Sequence, residues 1–154
     1  MRRVAVAGSA VALLVGALVL IFVVVKANAV NLDGIQCVIH TEAPALPETS
    51  HDYKGGKIYF CCFGCPVKFD RDPKVFATRA NLQLVATLQA RQHQCPLSGR
   101  DLDKTTEITV AGAKVAFCSG TCKAQVEAAN GDDQINLVLS DEAFERAGFK
   151  VEKK

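Results

Sequence analysis

The feature that most constrains this chain is a cysteine-bearing unit that occurs twice. The clearer copy reads Tyr53-Lys54-Gly55-Gly56-Lys57-Ile58-Tyr59-Phe60-Cys61-Cys62-Phe63-Gly64-Cys65-Pro66-Val67-Lys68-Phe69 and is preceded by Cys37; a second runs from Val110 to Val126 and is preceded by Cys95. Between Cys37 and Cys61 lie 23 residues, between Cys95 and Cys118 lie 22, and Cys61–Cys65 and Cys118–Cys122 each enclose three. Counted back from Cys61 and Cys118, Phe60 matches Phe117, Lys57 matches Lys114 and Gly55 matches Gly112; counted forward, Phe69 matches Val126. A unit this short buries little core by itself, so a metal is expected to supply a large part of its folding energy.

The thiol count bears on this. There are seven cysteines. Disulfides would suit an oxidising compartment, but pairing within a unit of three strands one thiol in each. Three thiols in matching places suit a soft metal, Zn2+ or Cu+, one ion per unit. Cysteines four apart at a helix start point to one side, and the free N–H groups there favour thiolate. The expected ligands are therefore Cys37, Cys61 and Cys65 in the first unit and Cys95, Cys118 and Cys122 in the second. Closed zinc sites have four ligands. Candidates for a fourth are Cys62, His40 and His51 in the first unit, with Asp101 or Asp103 in the second, where Ser98 stands in the place of His40. Cys62, directly after Cys61, is expected to be a small buried hydrophobe pointing elsewhere. Three-coordinate Cu+ needs no fourth ligand.

Val4 to Val25 is 22 residues without a charge. A helix of that length spans roughly 33 Å, enough for a bilayer's hydrocarbon core. Arg2 and Arg3 before it place the N-terminus in the cytoplasm and the rest outside. The expected organisation is a transmembrane anchor over residues 1–26, a linker over 27–36, a first module with a bridging helix over 37–92, and a second module with a C-terminal helix over 93–154. Localisation would be a single-pass cell-membrane protein with periplasmic modules, touching lipid through residues 4–25. Gly8, Ala12 and Gly16, four apart, would seat a membrane-protein partner. Of 18 basic residues, removing Arg2, Arg3 and Lys26 leaves 15 against 16 acidic, so the basic balance is no argument for nucleic acid.

Along the chain, Pro44 and Pro47 predict an irregular loop from Thr41 to Ser50. Gly55-Gly56 predicts a tight hairpin turn, and Pro66 sits in the first turn of a helix reaching Phe69 or Asp70. Asp72-Pro73 predicts a second helix, its apolar face on Phe76, Ala80, Leu84 and Leu88, running to about Arg91. In the second unit Asp101 to Thr106 reads as a polar connection. Glu107–Val110 and Lys114–Phe117 form a hairpin, and Ser119 or Gly120 starts a helix ended by Asn130-Gly131. Ser140 caps a last short helix, Asp141 to Ala147, stopped by Gly148. The fold class is small α+β, one transmembrane helix followed by two hairpin-and-helix modules.

Cys37, the segment from Tyr53 to Cys65, Phe69 and Asp72-Pro73-Lys74-Val75-Phe76 resemble the YHS/TRASH family of small treble-clef-like metal-binding domains. The resemblance implies heavy-metal trafficking, resistance or sensing, copper prominent among the metals. It places metal cysteines at Cys37, Cys61 and Cys65, and at Cys95, Cys118 and Cys122. The second copy opens with Cys95-Pro96-Leu97-Ser98-Gly99, closer to the family's usual start than Cys37-Val38-Ile39-His40. It lacks the doubled cysteine and the Asp-Pro helix start, and has Val126 where an aromatic is usual.

A metal-binding protein that holds copper or zinc, or passes it to a donor or acceptor, is therefore expected. The alternative is a zinc-stabilised interaction module or accessory subunit of a membrane complex. No GxGxxG, phosphate loop, HExxH or serine-nucleophile motif is present, and no enzyme is expected. Cys62-Phe63-Gly64-Cys65 has thioredoxin-like spacing without the βαβ setting that motif needs.

Overall fold

Each cysteine unit folds as a two-stranded antiparallel hairpin followed by a helix. The computed structural model describes residues 30–152. The first unit comprises β1 (Leu46–Tyr53), β2 (Gly56–Phe60) and α1 (Gly64–Arg71). Then come α2 (Ala77–Ala86) and β3 (Ala90–Arg91). The second unit has β4 (Asp103–Val110), β5 (Ala113–Phe117) and α3 (Gly120–Glu127), followed by α4 (Gly131–Leu139), α5 (Asp141–Arg146) and β6 (Lys150–Val151).

The two hairpins share one register. In β1–β2, Leu46 faces Phe60, His51 faces Ile58 and Tyr53 faces Gly56; in β4–β5, Asp103 faces Phe117, Ile108 faces Val115 and Val110 faces Ala113. Both outer strands bulge midway, and the bulge holds a buried threonine, Thr49 or Thr106. The strands therefore begin earlier than expected: Leu46–Ser50 and Asp103–Thr106 are strand, not loop. Pro47 is accommodated next to the bulge, on an edge where its missing N–H costs no ladder bond.

The turns are Lys54-Gly55 and Ala111-Gly112, all with positive φ: 47° and 85° in the first, 46° and 87° in the second. That is the two-residue turn whose twist matches the strands it joins. Gly56, expected in the turn, instead begins β2. A Cβ there would lie 2.7 Å from Leu84 Cδ2, so glycine is needed because α2 approaches closely.

Two other boundaries differ. The helix expected from Asp72 to Arg91 is a turn at 73–76 followed by α2. Leu88, with φ 57° and 73% exposed, leaves the helical path, and Ala90-Arg91 pairs with Lys150-Val151 instead. Asn130-Gly131 begins α4 rather than closing α3; Ile135, Val138 and Leu139 of α4 are buried. Ser140 caps α5 by accepting from the Ala143 N–H at 3.3 Å, and Gly148 follows with φ 59°, as expected.

The halves share one core. Ile58, Phe60 and Phe69 join Val115, Phe117 and Val126 in a continuous cluster with Ala80 and Leu84 of α2 and Val138 and Leu139 of α4. α2 packs against β2, β5, α4 and α5. It is hence the central element as well as the bridge. The expected fold class is corrected in its membrane part: among the described residues no helix is long and apolar enough to cross a membrane, and α2 itself has 10 residues. The anchor expected over residues 4–25 lies outside the described residues. What the structure describes is a small α+β fold.

Candidate metal centre

In each half three sulfurs meet at one end of the hairpin. The Sγ atoms of Cys37, Cys61 and Cys65 lie within 4.8 Å of one another, and so do those of Cys95, Cys118 and Cys122. All seven cysteines are free thiols. The six expected ligands are thus brought together as two triads.

The parts come from the same places in both halves. β2 and β5 run out at Phe60 and Phe117, and Cys61 and Cys118 follow directly. One turn later Cys65 and Cys122 lie in the first turn of α1 and α3. The upstream cysteine arrives in a tight loop. The Cys37 N–H donates to Ala43 O at 2.9 Å, and the Cys95 N–H donates to Arg100 O at 2.8 Å. In the first loop the N–H groups of Ile39 and His40 both donate to Cys37 Sγ at 3.4 Å, so the loop is wrapped around a sulfur acceptor.

Distances fit an ion. Cys37 and Cys61 stand 3.8 and 3.7 Å from Cys65, sulfur to sulfur, and Cys118 stands 3.7 Å from Cys122. Zinc–sulfur bonds of about 2.3 Å in a tetrahedron give a sulfur–sulfur edge of about 3.8 Å. A trigonal Cu+ site needs nearly the same edge, so the spacing fits either metal.

The thiols are pushed apart in acidity. Burial raises Cys37, but the N–H groups of His40 and Ile39 outweigh it and hold its pKa below the usual value. Burial pushes Cys61 up, and it pushes Cys65 up strongly, with Cys62, Cys61 and Cys37 adding to the effect on Cys65. In the second half the Ser98 hydroxyl, 3.1 Å from Cys118 Sγ, draws that thiol down to about 6, while burial raises Cys122. Arg100 lies on this side: its Nε donates to Ser98 Oγ at 3.4 Å, and the neighbouring Cys118 sulfur holds the Arg100 pKa above its usual value. Three thiolates this close repel one another, so not all ionise without a cation among them. A cation removes that penalty and releases protons as it binds.

The proposed fourth ligands fare differently. His40 is exposed and contributes its backbone N–H; His51 Nε2 pairs with Asp70 at 3.0 Å, edge-on to Phe60 and Phe69. Asp103 accepts from Thr105, and Asp101 makes a backbone bridge with Gln94. Cys62 is not a buried hydrophobe. It is exposed, and its Sγ lies 3.3 Å from Cys65 Sγ, because the chain turns outward after β2 before entering α1. Among the described residues, neither group of mutually close ligand atoms includes a fourth His, Cys, Asp or Glu.

Some supporting residues were not foreseen. Gln83 brackets Tyr59, accepting from its N–H at 2.7 Å and donating to its carbonyl at 2.9 Å, while Gln92 does the same for Ala116 at 2.9 and 2.8 Å. These two glutamines satisfy the outer edges of β2 and β5 just before the cysteines. They break the repeat's spacing, so no sequence signal marks them. Thr49 and Thr106 do obey it, each 12 residues before Cys61 or Cys118.

The fold and site together define a class: a small α+β chain with two three-cysteine clusters, each able to hold a metal ion. No protein-family model matches the chain, and no curated protein and no solved structure matches it.

Proposed function

We propose that this chain is a heavy-metal-binding protein that holds one Zn2+ or Cu+ per triad. The observation that carries the reading is the convergence, twice over and from equivalent elements, of three free thiols at metal-ligand spacing. Soft thiolates select these ions. The ligands of the first ion would be Cys37, Cys61 and Cys65, and of the second Cys95, Cys118 and Cys122. Three-sulfur sites with half-buried members suit exchange, since an incoming ligand reaches the ion without first breaking a closed shell. In this reading the chain carries ions and catalyses nothing. It extends to this chain the heavy-metal handling implied by the YHS/TRASH resemblance.

A structural role is favoured by a separate observation: Cys37, Cys65 and Cys95 are themselves members of the shared core. An ion there would hold loop, hairpin and helix together and contribute folding energy directly.

The test is metal analysis and thiol counting on protein purified anaerobically. Two equivalents are expected in the wild type, and one in each of Cys37→Ser and Cys95→Ser. Protein that binds no Zn2+ or Cu+ with its thiols reduced would overturn the reading. A chelator challenge then separates the roles: release within minutes supports exchange, and retention supports scaffolding.

A further inference from the structure

The geometry points to a thiol–disulfide site at Cys62–Cys65, which shares Cys65 with the first triad and has no counterpart at the second. Cys62 stands outside the group of mutually close sulfurs, yet its Sγ is 3.3 Å from that of Cys65, nearer than the triad neighbours at 3.7 and 3.8 Å. The Cys65 N–H donates to Cys62 O at 3.2 Å and closes a turn. Such a turn holds its end Cα atoms within about 7 Å, the range a disulfide bridges. Cys62 is exposed, next to a 74% exposed Phe63, whereas Cys65 is buried at 2%. An external reagent therefore meets Cys62 first.

The second half has no thiol at the matching place. Ser119 occupies the position three before Cys122, and its hydroxyl accepts from the Cys122 N–H at 3.4 Å as the cap of α3. A hydroxyl there forms no disulfide. One chain thus carries a triad with an oxidisable neighbour and a triad without one.

The reactant class is a small disulfide such as oxidised glutathione. The Cys62 thiolate attacks one of its sulfurs, the S–S bond breaks and one thiolate leaves, to be protonated by water. The Cys65 sulfur then attacks the Cys62 sulfur of the mixed disulfide, its proton passing to the departing thiolate, which leaves as the second thiol. Both cysteines are oxidised, the small disulfide is reduced to two thiols, and the triad keeps only Cys37 and Cys61. The consequence for metal, release from the first triad alone, rests on the proposed metal binding; the disulfide itself does not.

The experiment treats the reduced full chain, with and without two equivalents of Zn2+, with oxidised glutathione under anaerobic conditions. Released zinc is read with a chromophoric chelator, and free thiols are alkylated before tryptic mass mapping. The expected result is loss of half the zinc, with the peptide 58–68 alkylated at Cys61 only. Cys62→Ser should retain both equivalents, releasing zinc at least tenfold more slowly. Release at the wild-type rate from Cys62→Ser overturns the inference, as does a cross-link mapped to Cys37–Cys65 or equal oxidation of Cys118–Cys122. If the chain binds no zinc, the metal reading fails, while the Cys62–Cys65 link in the metal-free arm still decides this one.

Discussion

Thr106 is buried in a bulged strand, where one hydroxyl serves three backbone groups. It faces Asp103 O at 2.6 Å and Phe117 O at 2.7 Å, and it accepts from the Phe117 N–H at 2.8 Å. Phe117 directly precedes Cys118, so this hydroxyl fixes the strand end from which the second triad departs. Thr106→Val keeps the shape and leaves buried N–H and C=O groups unpaired, a cost of about 1–3 kcal/mol. Urea unfolding should show that loss, and an unchanged midpoint would refute the assignment. The grouping of the cysteines into two triads is legible in the sequence, because the matched spacings already sort them three and three. The Ser98 contact with Cys118 is not, since a loop hydroxyl's direction depends on how Cys95 is wrapped. The exposure of Cys62 is hidden for a related reason: adjacency to Cys61 says that it points elsewhere, not whether elsewhere is core or solvent.

At the scale of elements, the hairpins are legible from β-forming residues around glycine, but Gly55-Gly56 marks the first turn one residue late. Two adjacent glycines there have different causes, one a backbone twist and the other the approach of α2, and only the fold tells them apart. The early strand halves were hidden by prolines and polar residues, which a bulged edge strand tolerates. The turns also make a prediction of opposite signs. Ala111 and Lys54 both hold positive φ, strained for a residue with a Cβ by about 1–2 kcal/mol. Ala111 is an exposed turn residue, so Ala111→Gly should relieve that strain and stabilise by about 0.5 kcal/mol after the extra chain entropy of glycine. Lys54 pairs with Asp141 at 2.7 Å and lies 4.7 Å over the Phe144 ring. Lys54→Gly loses those contacts and should gain less or destabilise. Thermal unfolding of the two variants in parallel checks the order, and a larger gain from Lys54→Gly would contradict it.

The whole molecule is tied together by α2, whose packing against both hairpins the sequence did not show. A helical repeat of apolar residues reveals a buried face, not what covers it. Leu84 is fully buried between the halves, so Leu84→Ala should cost about 2–5 kcal/mol. Hydrogen exchange at Phe60 and Phe117 should quicken together; loss of protection in one hairpin only would show that the halves are energetically separate. A second tie is electrostatic and gives a pH dependence. Asp141, at the start of α5, accepts from Lys54 Nζ in the first hairpin turn at 2.7 Å and from Asn81 Nδ2 of α2 at 3.0 Å. Burial raises its pKa, but the bonds from Lys54 and Asn81 outweigh that and leave it below the ordinary carboxylate value. A carboxyl with a depressed folded pKa binds fewer protons folded than unfolded just below the unfolded value of about 4. Its contribution to stability is therefore present above about pH 4 and is lost as the pH falls through the folded pKa. Half exposure limits the ion pair to about 1 kcal/mol or less. Asp141→Asn retains an acceptor for Lys54 and Asn81 without the charge. The wild type should exceed this variant in stability near neutral pH, and denaturant titrations should show the gap closing in acid below the folded pKa. A gap of constant size down to acid pH would mean that Asp141 acts through its shape and not its charge.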